Sequence, residues 1–143
     1  MTDSPKMQEV IQELAKRYQL DLTDPNAFLR LDLPEHDTLV IDHVAVSQIA
    51  VSHCFEECGG WKIDREVVFF LSDGQWIPIE ITQMATGWLA FAKVDRQGQR
   101  LIRINSCGQE ALAQFCDRWA SKLEQEKWLE LGIPYVSWLP PSR

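Results

Sequence analysis

The sequence predicts an α+β domain in which an antiparallel β-sheet, largely a meander, is packed by an N-terminal and a C-terminal helix. Three observations predict it. Apolar residues recur at spacings of three and four near both ends of the chain, and runs rich in Val, Ile and Phe fill the middle. Between two of those runs, in VVFFLSDGQWIPIEI, stands an Asp73-Gly74 pair of the kind that closes a tight hairpin.

Ser4 and Pro5 form a helix start, Ser as cap and Pro at the first helical position. Met7, Val10, Ile11, Leu14, Ala15 and Tyr18 then line one face. Asp24 and Pro25 mark a loop, and residues 28–33, FLRLDL, form a short strand or extended connection that Pro34 ends. Leu39 to Phe55 reads as strand, but it is longer than the ~3–10 residues strands usually run, so a turn or bulge is expected near Ser47 and Gln48.

In the hairpin, a type I′ turn at Asp73-Gly74 sets Leu71 opposite Trp76, Phe70 opposite Ile77, Phe69 opposite Pro78 and Val68 opposite Ile79. Val68, Phe70, Ile77, Ile79 and Ile81 then project to one side, and Val67, Phe69, Leu71 and Trp76 to the other. Pro78 has no N–H, so the edge beyond it is either open or paired around a break. WLAFAKV and RLIRI, joined by a turn at Gln97-Gly98, extend the meander to cover residues 67–104. A capping box of Ser106 and Gln109 opens the last long helix, with Leu112, Phe115, Cys116, Trp119 and Leu123 on its buried stripe. Gly132 and Pro134 end the helical region and begin an extended tail, about 133–143.

At 143 residues the chain has the size of one domain with one core. With 21 acidic against 14 basic residues its formal charge is −7, which argues against a nucleic-acid surface built to neutralise phosphates. MTDSPKMQEV is neither a basic leader nor an apolar segment, and no long apolar run follows, so a cytoplasmic protein with no membrane partner is expected. Four cysteines are too few for a disulfide framework, and their spacing is not that of a zinc ribbon or redox motif.

The chemically pointed stretch is VSHCFEECGGWKID, residues 51–64. One reading is a thiol or metal site of His53, Cys54, Cys58 and His43. Alternation opposes it: on one strand His53 and Cys54 point to opposite faces, and His43 and His53 lie about 33 Å apart unless a hairpin near Ser47 folds them together. The other reading makes residues 56–60 a turn, with positive φ at Gly59 and Gly60 and with Cys54 and Cys58 as small apolar fillers. Cys107 and Cys116 take the same filler reading. Asp42 and Glu80, set among Val and Ile, are the less ordinary carboxylates. Of the six tryptophans, Trp76 near the hairpin tip and Trp138 in the tail, with Leu71 and Phe69, are the candidates for a binding surface.

His53, Phe55, Glu56, Gly59, Asp64, Glu66, Trp76 and Pro78 give residues 38–120 a pattern that resembles an uncharacterised domain family of bacterial plasmid and mobile-element proteins, associated with antirestriction-type polyvalent proteins. Where that family carries Asn-Gly-Asp this chain has Cys58-Gly59-Gly60, and its Asp-Pro is Asp64-Arg65 here, which makes Cys58 a turn residue. The resemblance implies an accessory setting and no reaction. The expectation is therefore a non-catalytic interaction or accessory module that needs no cofactor and binds a protein partner or a second copy of itself. A Cys/His thiol or metal enzyme is the alternative, and an acidic decoy of a DNA-binding enzyme a weaker one.

Overall fold

The computed structural model describes residues 1–135. Helix α1 (Pro5–Arg17) is followed by strands β1 (Phe28–Asp32), β2 (Thr38–Ala45), β3 (Gln48–Glu57), β4 (Gly60–Ser72), β5 (Gln75–Gln83), β6 (Gly87–Ala90), β7 (Ala92–Val94) and β8 (Leu101–Ile104). Helix α2 (Ser106–Gln125), the short α3 (Trp128–Leu131) and β9 (Ile133–Pro134) complete the order. Among the described residues the main sheet is seven-stranded and antiparallel, in the order β6-β5-β4-β3-β2-β1-β9; β7 and β8 form a second, two-stranded sheet. The fold is α+β, as the sequence pattern implies.

Tight turns build the meander. Asp73 and Gly74 both have positive φ, and Leu71 pairs with Trp76, Phe70 with Ile77 and Phe69 with Pro78. Ser47 takes positive φ between β2 and β3, so the long Val/Ile run folds back where the turn was expected. The next turn differs from expectation: positive φ falls on Cys58 and Gly59, and Gly60 already begins β4. A two-residue loop that closes Glu57 onto Gly60 requires its left-handed pair at those two positions.

The expected register fails one residue past Pro78. Val68 pairs with Glu80, leaving Ile79 as the extra residue of a bulge, so Ile81 turns to the face of Val67 and joins the helix-covered core. β6 joins β5 only over Glu80–Gln83, beyond the proline. Helix ends cover the exposed stretch of β5: Ser4 N–H donates to Trp76 O at 2.9 Å, and Gln109 Nε2 donates to Pro78 O at 3.1 Å.

The meander does not run on to residue 104. Phe91 bends the chain, donating its N–H to Ile79 O and accepting from Asn105 N, and Ala92 begins a strand that pairs with β8 alone. That hairpin lies over the second sheet face, where Ala92, with Val94 and Leu101, packs on Ala50, Val68, Phe70, Ile77 and Ile79. On the first face α1 and α2 bury Leu39, Ile41, Ile49, Val51, Val67, Phe69 and Trp76 against Met7, Ile11, Leu14, Leu112, Cys116 and Trp119. Each apolar set that the alternating strand exposes therefore meets its own cover.

Capping differs in detail. Asn105, not Ser106, caps α2, accepting from Gly108 N–H at 3.1 Å. Gln109 is consequently released from a capping box and reaches β5 and the N-terminus instead. Ser4 caps α1 with Pro5 behind it, but its hydroxyl turns to Ala113 O.

Candidate functional site

The alternation argument for His53 and Cys54 holds in three dimensions. Ile49, Val51 and His53 share the helix-covered face of β3, while Ser52 and Cys54 face the other way, joined by a Cys54 Sγ to Ser52 Oγ contact of 3.6 Å. A bulge immediately beyond His53 inserts Asp64 into β4, so His53 stands opposite Arg65 and Cys54 opposite Ile63. No thiol and imidazole are thus paired here as nucleophile and base. Burial pushes the Cys54 thiol up, which further disfavours its thiolate. Cys58 is exposed in its turn, and all four cysteines are free.

The β2–β3 hairpin brings His43 closer to His53 than an unbroken strand would, but His43 pairs with Ile49 and His53 with Leu39, four residues along β2 and about 13 Å away. The His43 ring nitrogen Nδ1 lies 3.0 Å from Leu22 O. Among the described residues no three His, Cys, Asp or Glu side chains converge on a point suited to a metal ion. Asp42 and Glu80 share one row of the sheet, Asp42–Ala50–Val68–Glu80, so two intervening strands separate them.

What surrounds His53 is aromatic. Its ring centroid lies 5.3 Å from that of Trp119 and 5.7 Å from that of Trp128, and the Arg65 guanidinium sits 5.7 Å from the Trp119 ring centre. A pocket of about 120 Å³ beside it is lined by His36, Asp37, Asp64, Arg65, Lys122 and Glu126 as well as by His53 and Trp119. Glu126 accepts from Trp128 Nε1 at 3.0 Å and approaches His36 Nδ1 at 3.5 Å. His53 Nδ1 and Trp119 Nε1 are buried without a hydrogen-bond partner among the described residues. A larger hollow, about 260 Å³, follows the outer face of α1, but polar helix side chains such as Gln8, Glu9 and Lys16 line it.

Burial is the main reason the His53 pKa falls below its ordinary 6.5, and the Arg65 charge adds to it; Glu126 and Asp37 act in the opposite direction. The unfolded chain therefore takes up the proton first. The stability this ring contributes is complete above pH 6.5 and is lost as pH falls from there toward the lower folded value. Urea midpoints measured from neutral pH down to about pH 5 are expected to fall, with a visibly shallower slope in His53→Phe. Equal slopes in the two proteins would contradict the assignment.

The proposed binding residues of the first hairpin lie inside. Trp76 is 4% exposed and Phe69 is fully buried, their rings 5.6 Å apart under the helices, and Leu71 packs against the same core. This corrects the expected surface: α1 and α2 cover the face to which these side chains point, burying Trp76 and Phe69 and leaving only Leu71 half-buried at its margin. Trp138 lies outside the described residues.

Exposed apolar surface gathers elsewhere, at the end of the second sheet face that the β7–β8 hairpin does not reach. The register defines a row Arg30–Val40–Ser52–Glu66–Thr82–Trp88 across six strands, with Ile63 and Trp61 on the same side further along β4. Trp61, Ile63 and Trp88 are 46%, 40% and 62% exposed, and Met84, whose N–H bonds to Asp64 O beside Ile63, is 60% exposed. At one border Arg30 lies between aromatic rings, 4.4 Å from the Trp61 centroid and 4.1 Å from that of Tyr135. Sequence reasoning missed this patch because it depends on how far a short hairpin extends over a sheet. The available signal was the count of strand tryptophans outside the main hairpin.

No helix among the described residues is long and apolar enough to cross a membrane. No family model, curated protein or solved structure matches the chain.

Proposed function

We propose that this chain is a non-catalytic protein-interaction module whose binding surface is the uncovered end of the sheet, centred on Trp61, Ile63, Met84 and Trp88. The observation that carries the reading is that four large apolar side chains, each at least 40% exposed, stand at one end of the sheet, beyond the reach of the β7–β8 cover. Tryptophan and methionine are favoured at the centres of protein interfaces, and an exposed apolar cluster on a folded domain marks such a site more often than chance. The separation of His53 from Cys54 favours binding over thiol chemistry. On the plasmid and mobile-element resemblance, the setting proposed for the module is accessory to such an element.

Immobilised wild type and a Trp61→Ser/Ile63→Ser variant provide the test. Both side chains are about half exposed, so the variant is expected to stay folded, its unfolding free energy lower by no more than about 1–2 kcal/mol, while losing proteins retained from host extract. Identical retained sets on the two columns would sink the reading.

A further inference from the structure

We propose that the outer edge of β6 pairs with β6 of a second copy of this chain, extending the main sheet across a two-fold axis at Leu89. The proposal rests on the reading of this end of the sheet as an interaction surface, and names its occupant.

The direction of the β6 backbone groups follows from the pairing with β5. Phe91 N–H donates inward to Ile79 O, and the 81–89 and 83–87 pairs lie two and four residues along the same ladder. Gly87 and Leu89 therefore turn their N–H and C=O groups toward β5, and Trp88 and Ala90 turn theirs outward. All four β6 residues are exposed, and none is a proline or one of the charged residues that blunt a sheet edge. The opposite edge is treated differently: β9 is two residues long and contains Pro134.

Two outward-facing residues with one between them are self-complementary. Antiparallel pairing of Trp88 with Ala90 of the second copy, and of Ala90 with its Trp88, makes four backbone hydrogen bonds around a Leu89–Leu89 pair on the axis. Side chains agree with this register. On one face each large indole meets a small alanine, and on the other the two half-exposed leucines cover each other. An interface of four-residue strands is at the small end of the range, so the dimer is weak and concentration-dependent. Each copy carries a formal charge of −7, so added salt strengthens the association by screening the repulsion, opposite to an assembly held by ion pairs.

Sedimentation equilibrium over a range of protein and salt concentrations tests this with wild type, Ala90→Pro and Trp88→Lys. The Ala90 N–H points away from β5, so proline there removes no internal hydrogen bond. Expected are a monomer–dimer equilibrium in wild type, tightening with salt, and a dimerisation constant lower by about tenfold or more in both variants at unchanged urea midpoint. A wild type that stays monomeric at every concentration and salt overturns the proposal, even where host proteins are still retained through Trp61 and Ile63. Variants that dimerise as well as wild type overturn it too, by placing the contact elsewhere.

Discussion

Trp128→Ala is expected to destabilise the protein by about 3–5 kcal/mol, the range for removing a large aromatic ring from a packed interior. Trp128 is 1% exposed although it belongs to a helix of only four residues, so its burial is tertiary in origin. Lys127, held at positive φ, turns the chain at the end of α2, and the indole is delivered onto the sheet over His53. Its Nε1 donates to Glu126, and its ring edge meets His36. Truncation removes the ring, the indole donor and one of the two aromatic walls around the imidazole. The expected fall in Tm is about 10–15 °C, with Trp128→Phe losing a minority of it. A second readout separates this from generic loosening. With one wall gone, water reaches His53, the cause of its lowered pKa weakens, and the acid-dependent loss of stability becomes shallower than in wild type. A Trp128→Ala protein with wild-type stability, or with an unchanged acid slope, would contradict the placement of this ring.

The parts of this fold legible in the sequence are those set by local chemistry. Asp73-Gly74 specified its turn and the three pairs beside it because a type I′ loop leaves one register available. Pro5 and the stripe from Met7 to Ala15 specified α1 in the same local way. Legibility ended where a distant segment decided the outcome. Whether Ile81 faces the helices or the second hairpin depends on the bulge at Ile79, just past Pro78, and that bulge exists with Gln109, thirty-one residues from Pro78, bonded to the Pro78 carbonyl. Trp76 reads locally as a hairpin-tip aromatic and becomes core because α1 passes over it, with Ser4 bonded to its carbonyl. At the candidate site, period-two alternation was enough to part His53 from Cys54. Nothing local revealed that Trp119 and Trp128 would enclose the ring, or that the apolar surface left uncovered would be Trp61, Ile63, Met84 and Trp88.

Gln109 carries more of the architecture than its residue type suggests, and Gln109→Leu is expected to cost about 2–4 kcal/mol despite being closely matched in size and apolar. The side chain is 1% exposed and makes three hydrogen bonds. Oε1 accepts from Thr2 N–H at 2.9 Å, while Nε2 donates to Thr2 O at 2.6 Å and to Pro78 O at 3.1 Å. One amide thus ties the N-terminal segment, the first turn of α2 and the stretch of β5 that has no strand on its outer side. Leucine fills the volume but leaves the Pro78 carbonyl without its donor in a dry position, the costly half of losing a hydrogen bond. Gln109→Glu separates volume from bonding: it retains the acceptor for Thr2 N–H, removes both donors and places an ionisable group where water is excluded. It is expected to be the less stable variant at neutral pH and to recover as acid protonates it. Urea denaturation at two pH values reports both effects, and amide hydrogen exchange at Thr2 and Ser4 should accelerate in each variant. A Gln109→Leu protein as stable as wild type, with Ser4 exchange unchanged, would show that β5 is held past Pro78 by apolar packing alone.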